Sequence, residues 1–158
     1  KDYRNMTERR GFNYIDIELM EKMCHPLAVA VFDTREDPIV MFRDHELALL
    51  DSALNSPKQT FGQKELYPSL LEKAAILYYN LIKNHPFQNG NKRIATATLL
   101  IFLYINEYWL SGNKKEEEDY LVELAKDVAS SAGSGKKDYF LEGLRNWLEA
   151  HVAKSLLG

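Results

Sequence analysis

Apolar residues recur at helical spacing along most of the chain, and the clearest such segment lies between residues 70 and 84. Their intervals of three and four residues predict an amphipathic helix, whose buried face carries Leu70, Ala74, Leu77, Tyr78 and Leu81. Pro86 disfavours helical geometry in the residue before it, so this helix is predicted to end before His85.

A second segment, from Ile94 to Trp109, is apolar nearly all round and carries no charge as far as Ile105. This pattern is typical of a helix surrounded by other helices, so the segment is predicted to be a central buried helix. Weaker helical patterns lie near residues 14–25, 45–54, 116–129 and 138–148, and Pro26 is expected to end the first of them. The sequence therefore predicts an all-α fold, a compact helical bundle around the central helix.

A turn-rich break, Asp33 to Pro38, separates two short apolar runs, Leu27 to Phe32 and Ile39 to Phe42. Two such runs around a turn are typical of a small β-hairpin. A plain surface loop is the other interpretation, and the sequence alone does not choose between them.

Length, charge and cysteine content narrow the class of protein. At 158 residues the chain is predicted to form one domain over residues 14–152, with a flexible N-terminal arm at 1–13 and a C-terminal tail at 153–158. A formal net charge of -3 gives no electrostatic footprint for nucleic acid, and the uncharged run is too short to cross a bilayer. The single cysteine, Cys24, excludes an internal disulfide and fits a reducing compartment. We therefore expect a soluble, cytoplasmic protein with neither nucleic acid nor membrane as a partner.

The candidate chemistry lies between the two strongest helices, in the stretch His85-Pro86-Phe87-Gln88-Asn89-Gly90-Asn91-Lys92-Arg93. His85 is a general-base candidate on a loop, and Gly90 permits a positive-φ turn before a helix begins at about Asn91. The free N–H groups and the positive dipole end of that helix favour an anion such as phosphate, and Lys92 and Arg93 add side-chain charge. A proton-transferring group is therefore predicted beside a phosphate-binding site.

These nine residues resemble the signature H-x-F-x-(D/E)-(G/A)-N-(G/K)-R of the Fic/Doc superfamily. Lys92, where the Fic branch typically has glycine, is similar to the Doc, or death-on-curing, branch. The similarity covers roughly Ile15 to Val152 and includes Phe42-Arg43-Asp44, Leu49 to Pro57, Phe61-Gly62, Leu66-Tyr67-Pro68 and Glu72 to Ala75.

The resemblance implies an ATP-dependent protein transferase with a Fic/Doc-like helical fold. It implies that His85 deprotonates a target hydroxyl and that the rest of the motif holds the nucleotide, namely Phe87, Asn89, Gly90, Asn91, Lys92 and Arg93. Lysine at position 92 implies the reversed nucleotide orientation of the Doc branch, in which the γ-phosphate is transferred. The resemblance also implies a hairpin flap that positions the target by strand pairing, with the candidate residues Asp33, Thr34, Arg35, Glu36, Asp37, Ile39 and Val40.

Members of the Doc branch are toxins that phosphorylate a translation factor, elongation factor Tu, and are neutralised by an antitoxin whose tail covers the active site. The resemblance therefore implies a translation factor as the protein substrate and an antitoxin as a partner. The sequence contains no (S/T)-x-x-x-E-(G/N) inhibitory motif, so we expect the transferase activity to be inhibited by such a separate partner.

Asn89 departs from the family pattern, which usually has aspartate or glutamate at this position to hold Mg2+. A neutral amide is a weaker ligand for a hard divalent cation. Three hypotheses therefore remain open: a Doc-like kinase toxin, a Fic-like AMP transferase acting on a protein hydroxyl, and a catalytically impaired module that binds a nucleotide or a protein.

Overall fold

Helices form most of the protein, whose computed structural model describes residues 11–133 and 135–155. In chain order they are α1 (Ile17–Leu19), a π-helical turn (Met20–Cys24), α2 (His25–Phe32), α3 (Leu47–Asn55), α4 (Leu70–Asn84), α5 (Asn91–Ile105), α6 (Lys114–Ser130) and α7 (Lys137–His151), with 3-10 turns at Phe42–Asp44 and Ser56–Lys58. Short strands pair as antiparallel hairpins, β1 (Thr60–Phe61) with β2 (Lys64–Glu65) and β3 (Tyr108–Leu110) with β4 (Val152–Lys154). The predicted all-α fold is confirmed. Within the described ranges, no helix is both long and apolar enough to span a membrane.

Two helices that follow each other in the chain and pack together, α4 and α5, form the centre of the bundle. Eleven of the fifteen residues of α4 and ten of the fifteen residues of α5 are buried. The Tyr78 hydroxyl of α4 donates a hydrogen bond to the carbonyl oxygen of Leu121 in α6 at 2.8 Å, and burial raises the pKa of this phenol. The prediction of a central buried helix is confirmed, although α4 shares that position with α5.

The predicted central helix ends four residues early, at Ile105, because Asn106 terminates it. The Asn106 side chain donates a hydrogen bond to the carbonyl oxygen of Phe102 at 2.8 Å, and Glu107 then adopts a left-handed conformation with a φ of 71°. The following residues pair as β3 with β4, in a register that places Trp109 opposite Ala153. Residues 153 and 154, which were predicted to belong to a tail, therefore form part of a strand.

The N-terminal helical segment continues beyond Pro26, although the sequence predicts that it ends before this residue. The π-helical turn before Pro26 explains the difference, since the N–H group of His25 bonds to the carbonyl oxygen of Met20, five residues back. This wider turn accommodates a proline ring that an ordinary α-helical turn would exclude.

The predicted N-terminal arm lies mostly outside the described residues, which begin at residue 11. Asn13 is held against the end of α5, because its backbone N–H donates to Oδ1 of Asn106 at 2.9 Å and its side chain donates to the carbonyl oxygen of Ile105 at 2.8 Å. Residues 156–158 of the predicted tail also lie outside the described part of the chain.

Candidate active site

The candidate site begins where α4 ends. His85 has a φ of 53° and a ψ of 54°, so the chain turns in a left-handed conformation immediately before Pro86 and leaves the imidazole exposed. The carbonyl oxygen of Pro86 accepts a hydrogen bond from the N–H of Glu46 at 2.9 Å, which attaches the loop to the start of α3. The prediction that Pro86 ends the helix and places His85 on a loop is confirmed.

Asn91, the first residue of α5, closes the loop from inside. Its Oδ1 accepts the N–H of Phe87 at 3.0 Å, and its Nδ2 donates to the carbonyl oxygen of Phe87 at 2.7 Å and to Nδ1 of His85 at 3.0 Å. The backbone N–H of Phe87 is only a donor, so it fixes which end of the amide is oxygen. Nδ1 of His85 therefore accepts, and the neutral imidazole carries its hydrogen on Nε2.

Phe87 anchors the loop in the core and is only 1% exposed. Its ring lies 5.9 Å from the ring of His25 and 6.0 Å from the rings of Phe42 and His45, measured between centroids. The family resemblance implies nucleotide binding by Phe87, but this residue does not line the cavity beside the start of α5. Its contribution to the site is packing that holds the loop in place.

Gly90 supplies the turn into α5, as predicted, with a φ of 78°. No side chain caps the start of the helix, and the first intrahelical bond runs from the N–H of Ile94 to the carbonyl oxygen of Gly90 at 2.8 Å. The N–H groups of the first turn thus have no intrahelical acceptor, and they lie at the positive end of the helix dipole. Lys92 is exposed in the same turn.

A cavity of about 680 Å³ opens beside this helix start. Four cationic side chains and two acidic ones line it, which leaves an excess of two positive charges that favours an anionic ligand. One wall is apolar. The lining residues that decide its character are the cations Lys83, Lys92, Arg93 and Lys126, the acids Asp37 and Glu118, and the apolar Ile82, Val122, Ala125 and Ala129, together with His85 and Asn89.

Arg93 is already engaged by the segment that we name the 33–40 loop, residues 33–40. One guanidinium nitrogen donates to the carbonyl oxygen of Asp37 at 2.7 Å, and another lies 3.1 Å from the Asp37 carboxylate. Asp37 is 68% exposed in its side chain, so solvent weakens this ion pair. A phosphate group is therefore able to compete for Arg93.

The 33–40 loop does not form the hairpin that was one of two interpretations of the sequence. None of residues 33–42, all of which are described, forms a strand; the segment is irregular as far as a 3-10 turn at Phe42–Asp44. Its backbone is bonded by side chains instead: Thr34 accepts the N–H of Asp37 at 3.1 Å, and Asp33 accepts the N–H of Ile39 at 2.7 Å. Arg35 and Glu36 are exposed at the bend. The target-positioning role of this segment stays a prediction.

The side chain of Asn89 is poorly suited to bind Mg2+. Its amide is bonded on both sides to the 33–40 loop, through Val40 and Pro38 at 3.0 Å each. Within the described ranges, no group of three or more histidine, cysteine, aspartate or glutamate side chains is arranged to hold a metal ion. At position 89 itself the protein supplies one neutral, engaged amide, which is a poor ligand for a hard cation.

Comparison with known proteins identifies the family. The Fic/DOC family profile matches residues 14–103, more than half of the chain, and includes the entire loop from His85 to Arg93. The chain belongs to the Fic/DOC family. It is also 32% identical over 113 residues to the curated protein Toxin Doc of Mycolicibacterium smegmatis, a similarity that covers 72% of this chain and 81% of that protein. No solved structure matches at a significant level.

Two contributors to this Fic/DOC site were missed by the sequence analysis. His25 donates from Nε2 to the carbonyl oxygen of Val40 at 2.7 Å and so supports the 33–40 loop from the core side. Asp37 was predicted only as a flap residue, whereas it is the ion-pair partner of Arg93. No local signal marks either role, because each contact joins residues that are far apart in sequence.

Proposed function

We propose that the chain is a Doc-like toxin that transfers the γ-phosphate of ATP to a hydroxyl of a protein target in the cytoplasm. The observation that carries the proposal is that His85 and Arg93 line one cavity at the start of α5, so an imidazole and a phosphate-binding guanidinium face the same space. The similarity to Toxin Doc of M. smegmatis supports the toxin role.

The phosphates of the nucleotide would lie at the start of α5. Unpaired N–H groups of the first helical turn, the exposed Lys92 and Arg93 all favour the negative charge that phosphoryl transfer spreads over the equatorial oxygens. The apolar side chains that line the cavity, among them Ile82, Val122 and Ala125, suit the nucleobase. Lys92 supports γ-phosphate transfer through the resemblance to the Doc branch.

His85 would act on the hydroxyl of the target. In the arrangement described above, Nε2–H is available to hold the hydroxyl oxygen, whereas the lone pair on Nδ1 is occupied by Asn91. Nε2 can take the hydroxyl proton only if the ring hydrogen moves to Nδ1, so proton transfer requires Asn91 to release Nδ1 when substrates bind. Catalytic hydrogen bonds commonly rearrange between the free enzyme and its complex, so this requirement is compatible with the role of a general base.

The protein substrate we propose is a translation factor such as elongation factor Tu, and the partner is an antitoxin that binds over the cavity. Both follow from the resemblance to the Doc branch. An excess of positive charge at the cavity also suits an antitoxin segment that carries acidic side chains.

The position of an isotopic label in ATP tests which phosphate group is transferred. The protein is incubated with a translating extract and ATP labelled at either the α- or the γ-phosphate, and labelled proteins are identified. We expect label from the γ position alone, reduced by about 10²–10⁴-fold in His85→Ala. Label that arrives only from the α position would identify a Fic-like AMP transferase instead.

A second candidate function, a catalytically impaired module that binds a nucleotide or a protein, is favoured by one observation. Arg93 and Asn89 are both engaged by the 33–40 loop, so the side chains that would hold phosphate and metal are not free. Expression in growing cells separates the two candidates. Growth arrest that His85→Ala abolishes supports catalysis, whereas equal arrest by both proteins supports binding alone.

A further inference from the structure

Asn89 is bonded to both ends of one short stretch of backbone. Its Oδ1 accepts the N–H of Val40 at 3.0 Å, and its Nδ2 donates to the carbonyl oxygen of Pro38 at 3.0 Å. The backbone N–H only donates and the carbonyl only accepts, so the orientation of the amide is fixed by its partners. The side chain therefore clamps three consecutive residues of the 33–40 loop.

The same stretch is supported by neighbours of Asn89 and from the core. A Cβ atom at Gly90 would lie 3.1 Å from Cγ2 of Ile39, so the loop packs directly on the glycine turn. His25 donates to the carbonyl oxygen of Val40 at 2.7 Å, and Arg93 donates to that of Asp37 at 2.7 Å. Residues 37–40 of the loop thus each contact a neighbouring residue, and Asn89 is the residue that bonds to both Pro38 and Val40.

An aspartate, which the family usually has at this position, would not make this clamp. A carboxylate keeps the acceptor for Val40 but places its second oxygen 3.0 Å from the carbonyl oxygen of Pro38, with no hydrogen between the two. The amide is the side chain of this size that satisfies a donor and an acceptor together.

We propose that Asn89 is a positioning residue that fixes the backbone of Pro38 to Val40 beside the cavity, and that it is not a ligand of a metal ion. The 33–40 loop contacts Arg93, the arginine proposed to bind phosphate, so its position would set part of the surface that the protein target meets. The part of this inference that concerns the target rests on the proposed function, whereas the clamp itself does not.

Hydrogen exchange in the nucleotide-free protein tests the clamp. The backbone amides of Ile39 and Val40 are followed in the wild type, Asn89→Ala and Asn89→Asp. Asn113→Asp is the matched control, because Asn113 caps α6 through Oδ1 and a carboxylate caps equally well. We expect exchange about tenfold faster in Asn89→Ala, a smaller increase in Asn89→Asp, which keeps the acceptor for Val40 but loses the bond to Pro38, and no change in the control. Unchanged exchange in both Asn89 variants, at an unchanged melting temperature, would overturn the clamp.

Titration with Mg2+ alone tests the second half of the proposal. We expect equal Mg2+ affinity in the wild type and in Asn89→Ala, because the amide oxygen is committed to Val40. A lower affinity in Asn89→Ala would show that Asn89 is a metal ligand and would overturn the proposal.

Steady-state kinetics with the protein target tests the positioning role. We expect Asn89→Ala to raise the KM for the target by about tenfold and to lower kcat by less, because the side-chain bonds of Asn89 go to Pro38 and Val40. A lower kcat at an unchanged KM would place Asn89 in the chemical step instead. If the wild type transfers no phosphate at all, the proposed function fails, and the exchange and Mg2+ measurements still decide the clamp.

Discussion

The side-chain amide of Asn91 donates a hydrogen bond to Nδ1 of His85 across 3.0 Å, and its other contacts, both to Phe87, prevent the amide from being reversed. A buried residue of α5 thus selects the tautomer of the exposed imidazole at the end of α4. The hydrogen of the neutral ring is directed to Nε2, which leaves that nitrogen as the donor available to a substrate.

Nitrogen NMR of His85 measures this tautomer directly. We expect the Nε2–H form in the wild type, and a shift toward the Nδ1–H form in Asn91→Asp, because the carboxylate accepts a hydrogen where the amide donates one. Asn91→Asp also loses the bond to the carbonyl oxygen of Phe87, so it should unfold more readily by about 1–3 kcal/mol. An Nδ1–H tautomer in the wild type would contradict the assignment.

Removal of the Asp37 carboxylate should strengthen nucleotide binding. Asp37→Asn releases one partner of Arg93, and a phosphate then no longer competes with that carboxylate. The Asp37 side chain is 68% exposed, so we expect only about a two- to fivefold lower Kd for ATP, measured by calorimetry. Arg93→Ala should instead weaken ATP binding strongly. Equal affinity in Asp37→Asn and the wild type would mean that the ion pair does not compete with the nucleotide.

A side chain at Gly90 should be more costly than one at an open glycine with a similar conformation. Gly62 lies in the β1–β2 turn with a φ of 57°, and a Cβ atom added there would meet no atom within 4 Å. Gly62→Ala therefore reports backbone strain alone, about 1 kcal/mol. Gly90→Ala adds a contact with Ile39 at 3.1 Å and should lower the free energy of unfolding by about 1 kcal/mol more.

Denaturant unfolding of both variants checks this difference, and Ile39→Ala provides the internal control. In the Ile39→Ala background the extra cost of Gly90→Ala should shrink, because the close neighbour has been removed. An extra cost that is unaffected by Ile39→Ala would show that it does not come from packing against the 33–40 loop.

Alkaline pH should destabilise the fold through Cys24. Burial raises the pKa of this thiol from its ordinary value of 9.0 to about 12, so between these values the unfolded chain loses a proton that the folded protein keeps. The contribution of this thiol to the free energy of unfolding is therefore fully present below about pH 9. It decreases as the pH rises, by at most about 1.4 kcal/mol per pH unit.

Chemical unfolding of the wild type and Cys24→Ala between about pH 8 and 11 isolates this contribution. Buried tyrosines such as Tyr78, whose pKa is also raised, contribute equally to both proteins and cancel in the comparison. We expect the wild type to lose stability more steeply than Cys24→Ala. Parallel curves would show that the thiol does not titrate differently in the two states.

The extent of α4, the loop at His85 and the turn at Gly90 were all predictable from the sequence. Each depends on residues within one or two helical turns: apolar spacing sets the buried face, Pro86 excludes further helix, and glycine permits a positive φ. The motif letters also identified the Fic/DOC family before any contact was known. These features depend on local sterics and on residue spacing, so a single sequence is enough to predict them.

Only the tertiary structure decided which distant residues bond to the side chains of the candidate site. Arg93 meets Asp37 across 56 positions of sequence, Asn89 meets Pro38 across 51, and β3 acquires strand geometry only because β4 lies beside it. Such contacts explain why the side chains of Arg93 and Asn89 are hydrogen-bonded to the 33–40 loop. They also explain why this loop follows an irregular path. A hydrogen bond between distant residues leaves no periodic pattern in either segment, so its partner is known only when the fold brings the two together.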